Sequence, residues 1–130
     1  MKIIFSLFFI LMITNTHASK WIIKKKKDIF ILENKTGNFY QVRSSGGMPK
    51  YIEQKKLNKK FTIIIYYSGT AGTTTPIEIQ RAVLFKGKAM SYVGDFPYKH
   101  IGVKEQPKWD IQKDQVTIID NETGLNKTVE

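Results

Sequence analysis

Phe61-Thr62-Ile63-Ile64-Ile65-Tyr66-Tyr67-Ser68 is the stretch on which the fold turns. It is built from β-branched and aromatic residues, the types that fit a pleated, half-buried surface. Successive side chains of a strand point to opposite faces. Phe61, Ile63, Ile65 and Tyr67 therefore share one face, and Ile64 and Tyr66 the other. Both faces are apolar, which predicts a central strand covered on both sides.

The neighbouring segments read in the same way. Downstream, residues 68–76 (SGTAGTTTP) form a loop of small residues. In residues 77–85, Ile77, Ile79, Val83 and Phe85 share one face, broken by Arg81, with Glu78 and Gln80 opposite. Lys86-Gly87-Lys88 is a turn, and residues 89–94 return as a strand. Residues 95–108 contain Pro97 and Pro107 and read as a loop. Residues 109–112, 115–120 and 125–129 are the last strands. Upstream, residues 28–33 and 38–44 read as a hairpin around Asn34-Lys35-Thr36-Gly37, where glycine can take a positive φ cheaply. Residues 45–60 have poor periodicity. Pro49 suits the first turn of a short helix near 50–58, and an irregular loop fits equally well.

About eight short strands with regular turns predict an all-β domain. It is either a small antiparallel sandwich or a calycin-like barrel, with one short helix near 50–58 as an option. The segments ILENKTG at 31–37 and IIDNETG at 118–124 echo each other. Two similar hairpins explain that echo without duplication.

Residues 1–18 read as a cleavable signal peptide. Lys2 is the positive n-region, residues 3–13 (IIFSLFFILMI) are apolar but for Ser6, and Thr16 and Ala18 stand at the −3 and −1 places of a small-residue cleavage site. Eleven helical residues reach roughly 16 Å, against a bilayer core of about 30 Å. The run is too short to be a stable span. The expectation is a single β domain over 19–130, exported to a periplasmic or extracellular compartment, with no transmembrane span after cleavage.

The chain has 130 residues, no cysteine and a net charge of +10. Without cysteine there is no disulfide, thiol nucleophile or CxxC metal site, so an exported domain must rely on its core. The charge is lopsided. Residues 19–60 hold twelve basic and three acidic residues, whereas residues 61–130 hold eight of each. The foci are Lys24 to Lys27 and the group Lys55, Lys56, Lys59 and Lys60. Such a patch suits an anionic partner. Exposed lysines also keep a small β protein soluble and guard its strand edges. Nucleic acid is not expected, because base and phosphate recognition favours arginine and only Arg43 and Arg81 occur.

Catalytic sets are hard to assemble. His100 is the only histidine after residue 18, and no G-x-S-x-G elbow is present for a triad. One histidine without cysteine makes a zinc site unusual. The glycine-rich loop lacks the Gly-Lys-Ser/Thr ending of a phosphate loop. Asp95, Asp110, Asp114 and Asp120 sit at turn signals, where side-chain capping explains them. No cofactor, metal or enzymatic activity is expected. Residues 92–100 concentrate aromatic side chains, which anchor interfaces by burying large area at low entropy cost. Tyr92, Phe96, Tyr98 and Trp109 are the expected anchors, unless Phe96 and Tyr98 simply close one end of the core. Lys55, Lys56, Lys59 and Lys60 would steer the approach. The expectation is a non-enzymatic binding protein, of inhibitor or immunity type, for an acidic macromolecule. The alternatives are a ligand-binding barrel or an envelope protein held on anionic lipid or lipopolysaccharide.

Overall fold

The computed structural model describes residues 21–71, 77–103 and 105–130. The expected signal peptide at 1–18 lies outside the described residues, as do residues 72–76 of the expected small-residue loop, whose first part, residues 68–71, is strand rather than loop. Ten strands and no helix occur among the described residues: β1 (Trp21–Lys26), β2 (Ile29–Asn34), β3 (Phe39–Val42), β4 (Lys50–Lys56), β5 (Phe61–Ala71), β6 (Ile77–Lys86), β7 (Ser91–Ile101), β8 (Lys108–Ile111), β9 (Val116–Asp120) and β10 (Leu125–Val129). They form three antiparallel sheets, ordered β1-β2-β3, β4-β5-β6-β7 and β10-β9-β8.

β5 is an inner strand of the four-stranded sheet, and both of its faces are buried. Phe61, Ile63 and Ile65 join Ala82, Leu84 and Phe96 beneath Val116 and Ile118 of the C-terminal sheet. Ile64 and Tyr66 join Val83 and Phe85 beneath Trp21, Leu32 and Val42 of the N-terminal sheet. The central sheet is thus covered on each face by a three-stranded meander, a layered sandwich with two apolar interfaces. The all-β expectation holds. Each sheet keeps free edges, so the calycin-like barrel is corrected to an open, layered arrangement, and about eight strands to ten.

The short helix near 50–58 is also corrected: Lys50–Lys56 is strand β4, paired to β5 from Lys50↔Tyr67 to Lys56↔Thr62. A register shift between Tyr51 and Glu53 interrupts its alternation. It is an edge strand, with only Tyr51 and Gln54 half-buried along its length, so it needs no apolar stripe. The predicted loop at 95–108 is strand as far as Ile101. β7 is likewise an edge strand, where Pro97, which has no N–H to give, is tolerated. Near the end of β5, Gly69 stands at a register shift with φ +130, and a Cβ there would meet the Gly46 carbonyl oxygen. That close approach fastens the β3–β4 connection to the central sheet, with Ser45 N donating to Ser68 O at 2.7 Å.

The two echoing hairpins differ in detail. Asn34 Oδ1 accepts from Thr36 N at 3.0 Å and from Asn38 N at 3.2 Å. In the other hairpin the preceding position does this work: Asp120 Oδ1 accepts from Glu122 N at 3.2 Å and Oδ2 from Thr123 Oγ1 at 2.9 Å. The capping residue is offset by one against the sequence echo, which is the mark of shared turn chemistry rather than duplication.

Candidate functional site

Arg81, which breaks the apolar face of β6, sits opposite Tyr66 of β5, while its neighbour Val83 sits opposite Asp95 of β7. Tyr66, Arg81 and Asp95 therefore face the same side of the central sheet. Arg81 Nε donates to Asp95 Oδ1 at 2.9 Å and Arg81 Nη2 to the Asp95 main-chain oxygen at 3.0 Å. The Tyr66 hydroxyl donates to Asp95 Oδ2 at 2.5 Å. The Asp95 side chain is only 7% exposed and that of Arg81 14%. A charge taken out of water is tolerable only when paired and fully hydrogen-bonded. That condition is met, because no buried side-chain nitrogen or oxygen lacks a partner among the described residues.

The cluster also fixes Arg43, just beyond β3. Arg43 N donates to the Tyr66 hydroxyl at 3.1 Å, and Ser68 Oγ donates to Arg43 O at 2.7 Å. Both bonds use its main chain. Its side chain is exposed and makes no ion pair among the described residues. Arg43 lines a cleft with Asp95 and Tyr92, and its charge favours their ionised forms.

Burial raises the Asp95 carboxyl above its ordinary range, and Arg81 pulls it partly back. Burial, and then the Asp95 charge, push the Tyr66 phenol well above its usual value. Tyr51 and Tyr92 are raised as well, chiefly by burial. A phenol raised in the folded state contributes stability that is complete below its unfolded pKa of about 10 and is lost as pH rises beyond it. Urea unfolding from pH 8 upward should therefore show stability falling above pH about 10, with Tyr66, the most strongly raised phenol, contributing about 1.4 kcal/mol per pH unit. Tyr66→Phe should remove one proton from that slope, and an unchanged slope would refute the role given to Tyr66.

Three adjoining clefts surround the cluster. One of about 440 Å³ is lined by Arg43, Arg81, Asp95, Phe96, Pro97 and Leu125, among others. A second, of about 330 Å³, extends it past Arg43 to Tyr92 and Gln41. A third, of about 280 Å³, runs from Arg81 to His100, Asp120 and Glu122. In it, His100 Nδ1 lies 3.6 Å from Glu122 Oε2. No group of three or more metal-ligating side chains occurs among the described residues.

The four expected aromatic anchors are divided between the two faces of the central sheet. Phe96 and Tyr98 pack with Trp109 over the C-terminal interface, with ring centroids 6.3 and 5.8 Å from the indole. Trp109 Nε1 donates to Pro97 O at 2.9 Å, and Phe96 is 8% exposed. These three tie β7 to β8 and leave only a shallow groove of about 300 Å³ beside Tyr98 and Trp109. Tyr92 lies on the opposite face, stacked on Tyr40 at 5.5 Å and 49% exposed, at the mouth of the arginine cleft. Lys55 and Lys56 are exposed on β4, and Lys59 and Lys60 are exposed in the turn that follows. β4 lies against β1, with Trp21 Nε1 donating to Gln54 Oε1 at 3.0 Å. The two lysine foci thus sit on neighbouring edge strands. No described helix is long and apolar enough to cross a membrane.

The sequence marks Arg81 as a break in an apolar face, counts Arg43 and Arg81 as too few for nucleic acid, and reads Asp95 as a turn residue, without joining the three. The usable signal was Arg81 itself, since an arginine inside an apolar row needs a carboxylate beside it. No family model matches the chain, and no curated protein or solved structure shows significant similarity to it.

Proposed function

We propose that this is an exported, non-enzymatic binding protein, of inhibitor or immunity type, that engages an acidic macromolecular partner. The observation that supports this reading best is the lysine flank. β1 contributes Lys24, Lys25 and Lys26, and β4 contributes Lys50, Lys55 and Lys56. Lys27, Lys59 and Lys60 extend the two strands into their turns. The acids nearby are few, and Glu33 is engaged by Lys24 at 2.8 Å. A surface of one sign accelerates encounter with the opposite sign. The layered core beneath is a rigid support for such a surface.

The experiment is affinity capture from envelope and culture extracts with the tagged chain lacking residues 1–18. A variant carrying Lys55→Glu, Lys56→Glu, Lys59→Glu and Lys60→Glu is run beside it. An acidic protein should be captured at low salt and lost toward 0.5 M, where the screening length falls to a few ångströms, about 3 Å at 1 M. The variant should unfold like the parent and associate with that protein at least about tenfold more slowly. Absence of any specific partner at low salt, or equal capture by the variant, would overturn the proposal.

A further inference from the structure

We infer that the cleft beside β7, lined by Arg43 and Arg81 on one hand and by Leu125 at the start of β10 on the other, is a carboxylate-binding site. Arg43 and Arg81 are its cationic groups, and its ligand is a carboxylate on a short apolar stem. Arginine occurs at only two positions in a chain whose other cations are lysines, and both line the same cleft. The planar guanidinium fork matches a carboxylate in two parallel hydrogen bonds, which an ammonium cannot do.

Charge at the cleft is unbalanced in the required sense. Among the residues that line this cleft, Asp95 offsets one guanidinium and one positive charge is left over. Arg81 engages Asp95 through Nε and Nη2, so Nη1 is left for a ligand. Arg43 has its whole fork free of ion pairs among the described residues. Its main chain is clamped by Tyr66 and Ser68, so the root of the side chain is held before any ligand arrives, which lowers the ordering cost of binding. Phe96, Pro97 and Leu125 supply apolar lining to the same cleft. Asp120 and Glu122 lie in the adjoining cleft on the far side of Arg81. Their negative charge repels an anion from that side of Arg81 and leaves the Arg43 side as the favourable one.

A carboxylate on an apolar stem can come from a small aliphatic acid or from the C-terminus of a polypeptide. The test follows the arginine Nε–Hε signals of the tagged chain from residue 19 by NMR, at constant ionic strength. The probes are butyrate, acetyl-Ala-Leu with a free carboxylate, and the same peptide as its amide. Both carboxylates should shift the Arg43 and Arg81 signals saturably, and the amide should not. Tighter binding of the peptide assigns the source to a polypeptide end, and tighter binding of butyrate to a small acid. Arg43→Ala leaves both main-chain clamps in place and should weaken binding about tenfold or more, and Arg43→Lys about threefold. Lys55→Ala should change it less than about twofold. Shifts that do not saturate, that the amide reproduces, or that saturate with unchanged affinity in Arg43→Ala would overturn the assignment. The lysine-flank proposal is read by the Lys→Glu variant alone, so either can fail without the other.

Discussion

Asp95→Ala is expected to destabilise the fold by about 3–5 kcal/mol, the usual cost of leaving a buried charge without its partner. The substitution strands Arg81, whose side chain is 14% exposed, and removes the acceptor of the Tyr66 hydroxyl. Urea unfolding should show a lower midpoint with an unchanged slope, as for a change in stability without a change in buried surface. The double variant Arg81→Met/Asp95→Leu separates stability from function. It replaces the pair by apolar groups, which is often neutral or better for a buried ion pair, so it should recover part of the loss, short of the cost of a buried Tyr66 hydroxyl left without its acceptor. If the single change costs less than about 1 kcal/mol, the pair is solvated in solution and the cleft is not built as described.

Phe85→Ala should cost a similar amount, about 3–5 kcal/mol, for a different reason. Phe85 is fully buried at the N-terminal interface, with its ring 6.0 Å from Trp21, 4.9 Å from Tyr40 and 6.3 Å from Tyr92. Truncation opens a cavity and ends three aromatic contacts at once. The effect should be confined to one face. In a Trp109→Phe background, Trp21 fluorescence should change on truncation of Phe85. In a Trp21→Phe background, Trp109, which packs on the opposite face with Phe96 and Tyr98, should report little before global unfolding. Equal response of the two indoles would contradict the separation of the two interfaces.

The parts of the fold legible in the sequence are those where burial dictates residue type. β5 is apolar on both faces because two interfaces meet on it, and Gly37 and Gly124 mark hairpin turns at positive φ. The edge strands of the central sheet are legible only in part, since residues 89–94 read as a strand but the rest of β7 and all of β4 do not. β4 exposes most of its side chains, and its register shift breaks the alternation. β7 carries a proline and two register shifts against β6. In β6 the alternation of Ile77, Ile79, Val83 and Phe85 hid the second buried row, Ala82 and Leu84. The arginine cleft joins residues from β3, β6 and β7, and no local pattern encodes that meeting. Arg81 was visible as an exception, but its partner Asp95 lies fourteen residues on.

The three sheets also occupy consecutive stretches of the chain: residues 21–42 make one, 50–101 the next and 108–129 the last. Every strand pair joins neighbours in sequence through a hairpin, so no sheet requires a distant segment to be found before it can grow. Loop-closure entropy is small for such connections, and β proteins are slow folders chiefly when their pairings are non-local. The layered sandwich thus belongs kinetically with hairpin meanders. Its long-range contacts are concentrated between the layers, where the two outer sheets meet β5 and β6.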